Sequence, residues 1–129
     1  MAYTILIVDD SETARAALAK ALSIAQTPVR EFYQAADGQA ALALLEDKQV
    51  DIVFLNLSMP GMNGLDMLNR MKERGLLDTV PVVVVSADGS ETRITELAEL
   101  GIRGHVRKPY TPERLKARVD KLLGAMHEQ

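Results

Sequence analysis

The chemistry this chain can do rests on a few polar positions: the adjacent pair Asp9-Asp10, then Asn56, Ser86 and Lys108. Each stands where a run of apolar residues stops. Two carboxylates held together repel by a few kcal/mol at an effective dielectric of about 20, and a divalent cation relieves that cost. Hard oxygen donors with open positions suit Mg²⁺. A lysine offers a point positive charge to a phosphoryl oxygen, and a serine hydroxyl offers a donor to another. Taken singly, each residue has a plainer reading. Acidic groups favour helix N-termini, so Asp9-Asp10 before Ser11 reads as a helix start. Lys108 reads as a solvated surface residue and Ser86 as a strand-end hydroxyl. Their shared placement at successive strand ends makes them a pocket.

The elements that must position these residues follow from the apolar pattern. Short apolar runs alternate five times with longer amphipathic stretches, which is the signature of a parallel sheet with helical crossovers. Ile5–Val8 is the first strand, and Ser11 caps a helix running to Ile24. Val29–Ala35 is more polar and suits a sheet edge; Asp37-Gly38 then turns into a helix over Ala40–Glu46. The central strand starts after Asp51, stops at Asn56 and is closed by Pro60, Gly61 and Gly64. Leu65, Leu68, Met71 and Lys72 describe a short helix with Gly75 as its C-terminal cap. Val80–Val85 is rich in β-branched residues and predicts a strand buried on both faces. A helix over Ser90–Leu100 ends at Gly101, a short strand covers Gly104–Arg107, and Thr111-Pro112 opens a last helix whose buried side holds Leu115, Val119, Leu122 and Leu123.

The 129 residues suffice for one well-buried core, so we expect a single domain over residues 1–124 with a frayed tail at 125–129. With 47% hydrophobic residues but only two Phe, three Tyr and no Trp, the core must be aliphatic. A net charge of −3 carries no nucleic-acid footprint. The absence of Cys excludes disulfides, thiol catalysis and Cys-ligated zinc. No apolar run approaches the roughly 20 residues of a membrane span, and Met1-Ala2-Tyr3-Thr4 leads straight into a strand. The expectation is a cytoplasmic chain that engages neither nucleic acid nor membrane.

Asp9-Asp10, the stretch Asn56-Leu-Ser-Met-Pro-Gly-Met-Asn-Gly64, Ser86 and Lys108-Pro109 resemble, in order and spacing, the signature of bacterial response-regulator receiver domains, such as the chemotaxis regulators of two-component signalling. The resemblance implies a flavodoxin-like α/β fold: a doubly wound five-stranded parallel sheet in the order 2-1-3-4-5. It makes Asn56 the occupant of the phospho-acceptor position, where the family has Asp. It makes Asp9, Asp10, residue 56 and the Ser58 carbonyl the Mg²⁺ ligands, Asp10 the more direct of the acidic pair. Ser86 matches the switch hydroxyl, and Lys108 the phosphoryl-binding lysine ahead of a cis proline. His105 takes the switch position that is commonly Tyr or Phe.

A neutral amide is a poor nucleophile and forms no aspartyl phosphate, so this chain should not be phosphorylated at position 56. Loss of one negative charge should also weaken the metal. Two explanations compete. One is a naturally phosphate-independent receiver that acts as a binding module; the other is an Asp-to-Asn variant locked in the inactive state, which the surviving Asp9, Asp10, Ser86 and Lys108 favour. The resemblance implies a signalling switch and not a metabolic enzyme, although a form with Asp at position 56 would catalyse its own phosphorylation and dephosphorylation. It implies a histidine kinase or histidine phosphotransfer protein as donor. It also implies a downstream protein target on the face of helix four, strand five and helix five, near Arg93, Arg103, Arg107 and Tyr110. A nucleotide- or flavin-binding enzyme of like architecture is disfavoured: Asp9-Asp10-Ser11-Glu12 places carboxylates where a phosphate-binding loop needs glycines and free amides.

Overall fold

A computed structural model of the chain describes residues 2–57, 63–87 and 89–124. The elements alternate in chain order: β1 (Tyr3–Val8), α1 (Glu12–Ile24), β2 (Val29–Ala35), α2 (Gly38–Asp47), β3 (Ile52–Asn56), α3 (Gly64–Glu73), β4 (Val82–Ser86), α4 (Glu91–Leu100), β5 (Gly104–Arg107) and α5 (Pro112–Val119). A wide π-helical turn, Asp120–Gly124, extends α5. The five strands form one parallel sheet in the order β2-β1-β3-β4-β5. That is the order the resemblance implied.

Strand alternation divides the core into two layers. Leu6 and Val8, Val53 and Leu55, and Val82 and Val84 face α2, α3 and α4. Ile5 and Ile7, Ile52 and Phe54, and Val83 and Val85 face α1 and α5, meeting Leu18, Leu22, Leu115 and Val119. The three inner strands are therefore buried on both faces, which is why their sequences read as unbroken apolar runs. β2 lies at a sheet edge and is half-buried or exposed along most of its length, as its polar composition predicts.

The helices begin where the sequence offers an oxygen. Ser11, Asp37, Asn63, Ser90 and Thr111 each accept a backbone N–H from three residues on. Such a cap contributes roughly 0.5–2 kcal/mol. Several boundaries differ from expectation: β1 begins at Tyr3 and not Ile5, and α2 at Gly38 and not Ala40. The fourth strand starts at Val82, because residues 76–78 form a 3₁₀ turn and the Val80 N–H donates to the Leu76 carbonyl at 2.9 Å. Gly75 closes α3 as expected: it follows Arg74, its N–H donates to the Lys72 carbonyl at 3.1 Å, and its φ of 72° is the left-handed geometry of a glycine cap. The expected tail at 125–129 lies outside the described residues.

Candidate functional site

The site is assembled at the carboxyl ends of β1, β3 and β5. Asp9 follows the last residue of β1 and is buried at 8% exposure. Its Oδ1 accepts the Ser11 N–H at 2.9 Å, and the Ser11 hydroxyl in turn accepts the Ala14 N–H at 3.1 Å. Arg15, one turn into α1, donates through Nη1 to the Asp9 carbonyl and through Nε to Gln34 Oε1 on β2. Sequence reasoning missed Arg15. Its signal was a cation one helical turn after the acidic pair. Asp10 is exposed.

Asn56 ends β3, where it pairs in register with Val85. Gly64 fixes the chain beyond it: the Gly64 N–H donates to the Leu57 carbonyl at 2.9 Å, and a Cβ at position 64 would lie 2.6 Å from Leu57 Cα and 2.7 Å from the Asn56 carbonyl oxygen. Only glycine allows α3 to begin so close to the end of β3. Ser86 ends β4, and its carbonyl accepts the Lys108 N–H at 2.9 Å. That bond sets the start of the β5–α5 loop, in which the Lys108-Pro109 peptide is cis, as the resemblance implied.

These ends open into a cavity of about 500 Å³ between the sheet, α1 and the β5–α5 loop. Asp9, Asn56 and Lys108 supply its charged and amide groups; Ala14, Ala17, Leu18, Phe54 and Tyr110 give it an apolar wall. Burial first, and then the Asp9 carboxylate, push the Tyr110 hydroxyl above its ordinary value of 10.0. Asp10 and Ser86 are at the same edge of the sheet but outside the cavity lining. Ser58 lies outside the described residues.

His105 is placed elsewhere. It pairs with Val84 in the sheet and lines a second cavity of about 260 Å³ between β5 and α5, with Arg107, Arg114, Arg118 and Lys121. Among the cations expected on the partner face, Arg93 is 3.7 Å from Glu96, Arg103 donates to the Asp78 carbonyl at 3.3 Å, and only Arg107 lines this cavity.

The donor set suits a hard cation. Asp9 and Asn56 bring one carboxylate and one amide oxygen to the same cavity. Among the described residues no group of three or more His, Cys, Asp or Glu is placed to hold a metal ion.

A parallel sheet in this order, with a carboxylate, an amide and a lysine gathered outside the carboxyl ends of its strands, defines a doubly wound domain with a cavity at the strand-order reversal. Residues 5–120 match the response regulator receiver domain, and the chain belongs to that family of two-component signalling domains. It is 34% identical over 119 residues to chemotaxis protein CheY-3 of Vibrio cholerae, covering 92% of this chain and 90% of that one. It is 35% identical over 119 residues to chemotaxis protein CheY of Pseudomonas aeruginosa, covering 92% and 94%. Among solved structures, the CheX–CheY–BeF₃–Mg²⁺ complex of Borrelia burgdorferi superposes with a TM-score of 0.79 at 27% identity, covering 92% of this chain and 87% of that one. No helix among the described residues is long and apolar enough to cross a membrane.

Proposed function

We propose that this receiver is held unphosphorylated by Asn56, and that an Asp at the same position accepts a phosphoryl group from a histidine kinase or histidine phosphotransfer protein. The observation that carries the reading is the gathering of Asn56, Asp9 and Lys108 around one cavity at the strand ends. In the Asp form, a carboxylate oxygen attacks phosphorus, the P–N bond to the donor imidazole breaks, and the released nitrogen takes a proton. The Asn56 side chain has no such nucleophile, because its nitrogen lone pair is delocalised into the carbonyl.

Lys108 is suited to hold a phosphoryl oxygen, and Ser86, at the end of the adjacent strand, to bond another. Asp9, Asp10, the residue 56 oxygen and the Ser58 carbonyl would hold Mg²⁺. When bound, the ion offsets charge between the attacking carboxylate and the donor phosphate. The Borrelia relative was solved with BeF₃ and Mg²⁺, which supports this assignment. Asn56 weakens the ion without abolishing its site. The domain acts by conformation and partner binding, not as a metabolic enzyme, and the face of α4, β5 and α5 is its surface for a downstream protein.

The retention of Asp9 and Lys108 around the cavity favours an Asp-to-Asn replacement in a working receiver over a phosphate-independent binding module. The test is to incubate the Asn56 and Asn56→Asp forms with a small phosphoryl donor and Mg²⁺ and weigh them intact. The Asp form should gain one base-labile phosphate and the Asn form none. An unmodified Asp form would establish the binding module instead. Modification of the Asn form would place the acceptor at another residue.

A further inference from the structure

The cavity at the strand ends is more apolar than phosphoryl transfer requires. Its polar groups, Asp9, Asn56 and Lys108, stand at the carboxyl ends of the strands, whereas Ile7, Leu18, Phe54 and Val85 belong to the packed layer beneath α1 and α5. Each of those four is at most 6% exposed, so the space reaches into the core and is not a surface dimple. Ala14 and Ala17, on the same side of α1, line it from the helix. Neither has an atom beyond Cβ, which leaves the gap of about 500 Å³ between the helix, the sheet and the β5–α5 loop. That volume lies in the range of about 300–1,000 Å³ that holds small organic ligands. A phosphoryl group and a hydrated cation are polar throughout and gain nothing from an aliphatic and aromatic wall.

We infer that the cavity is a binding site for a small aromatic monocarboxylate, its ring among Leu18, Phe54 and Tyr110 and its carboxylate at Lys108. The ring follows from the wall, because aromatic side chains favour another ring in offset or edge-to-face contact beyond the area it buries. The head follows from charge. Among the described residues Lys108 is the one cation lining the cavity, and it has no ion pair there. A half-buried ammonium beside apolar groups is costly without a counter-ion, and a carboxylate supplies one through charge-assisted hydrogen bonds. Asp9 limits the head to a single negative charge: it is buried, and a dianion would meet it with no metal to offset the repulsion. A nucleotide is disfavoured on the same ground, since its phosphates need several donors.

The carboxylate takes the ammonium that a phosphoryl oxygen would use, so occupancy and phosphorylation of an Asp at position 56 exclude one another. In the Asn56 chain, which lacks the nucleophile, Lys108 stays available to the ligand. The exclusion rests on the function proposed above; the binding does not.

The probe is phenylacetate, titrated without metal or phosphoryl donor into the ¹⁵N-labelled Asn56 chain and followed through its amide resonances. Saturable shifts should centre on Ala17, Phe54, Val85 and Tyr110. Lys108→Gln should weaken binding about 10-fold or more, because it removes the counter-charge. Ala17→Leu should do the same by filling the space, at an exposed helical position where leucine costs little. Ala98→Leu adds equal bulk at an exposed position of α4 and should leave binding within about 2-fold. Absence of saturation up to about 10 mM, equal weakening by the two leucines, or shifts centred on Arg107 and Arg118 would overturn the proposal. So would equal or tighter binding of phenethylammonium, whose head carries the opposite charge. In the Asn56→Asp form given a small phosphoryl donor and Mg²⁺, saturating phenylacetate should slow phosphate uptake, and unchanged uptake would overturn the placement of the carboxylate at Lys108. If that form takes up no phosphate at all, the proposed function fails while the binding result stands; phosphorylation without phenylacetate binding does the reverse.

Discussion

At the scale of single residues, Tyr110 reports on the cavity. Burial and the Asp9 carboxylate raise its hydroxyl above 10.0, so the folded chain holds that proton more tightly than the unfolded chain does. Between 10.0 and the folded value, the native state binds more protons, and stability must fall as pH rises. Below that window the hydroxyl is protonated in both states and contributes no slope. Denaturant unfolding in chelator, compared at about pH 9 and about pH 11, should show a steeper alkaline loss for the parent chain than for Tyr110→Phe. Asp9→Asn should lower the Tyr110 value in an ultraviolet titration but leave the larger, burial-driven part of the shift. Equal alkaline slopes for parent and Tyr110→Phe would mean that the hydroxyl is solvated in solution.

At the scale of elements, the approach of α3 to the end of β3 is the tightest joint of the site. A methyl group at Gly64 would lie under 3 Å from the backbone at Asn56 and Leu57, and backbone yields less readily than the end of a side chain. Gly64→Ala should therefore destabilise the domain by about 1–3 kcal/mol, as overpacking of a closed contact does. It should also disturb the amide resonances of Asn56 and Leu57 before those of β1. Denaturant midpoints and an amide spectrum check both halves. Gly75→Ala is the informative contrast: nothing lies within 4 Å of its added methyl, so its cost comes only from the positive φ.

At the scale of the whole molecule, the cavity at the strand ends couples ligand binding to folding. Asn56→Asp adds a second carboxylate to the space Asp9 already occupies, and like charges there repel by a few kcal/mol at an effective dielectric of about 20. Without metal, that variant should melt several degrees lower than the parent, at about 2–6 °C per kcal/mol for a domain of this size. With Mg²⁺ at about 100 times its dissociation constant, binding returns about 2.7 kcal/mol. The variant should then gain more in melting temperature than the Asn56 chain does. Thermal unfolding across a Mg²⁺ titration measures both. Identical metal dependence in the two forms would remove position 56 from the ion's surroundings.

The element order, the caps at Ser11 and Thr111 and the doubly buried β4 were legible in the sequence because they depend on local chemistry. Side-chain periodicity, capping oxygens and β-branching act within a few residues of where they are written. The family signature added the strand order and the list of site residues, since those motifs fall at strand ends whatever fills the loops between. Tertiary packing alone decided the rest. The 3₁₀ turn at Leu76–Asp78 postponed β4 to Val82, Arg15 reached across to Gln34 on β2, and the need for glycine at position 64 came from the backbone it meets. Spacing along the chain also could not tell that His105 and Lys108, three residues apart, serve different cavities. Residues 105 and 107 lie in a strand packed beside α5, while Lys108 lines the cavity it shares with Asp9 and Asn56. Arg114, Arg118 and Lys121 likewise read as surface cations along the chain, and only the packing of β5 beside the last helix and its extension puts them around one cavity with Arg107 and His105.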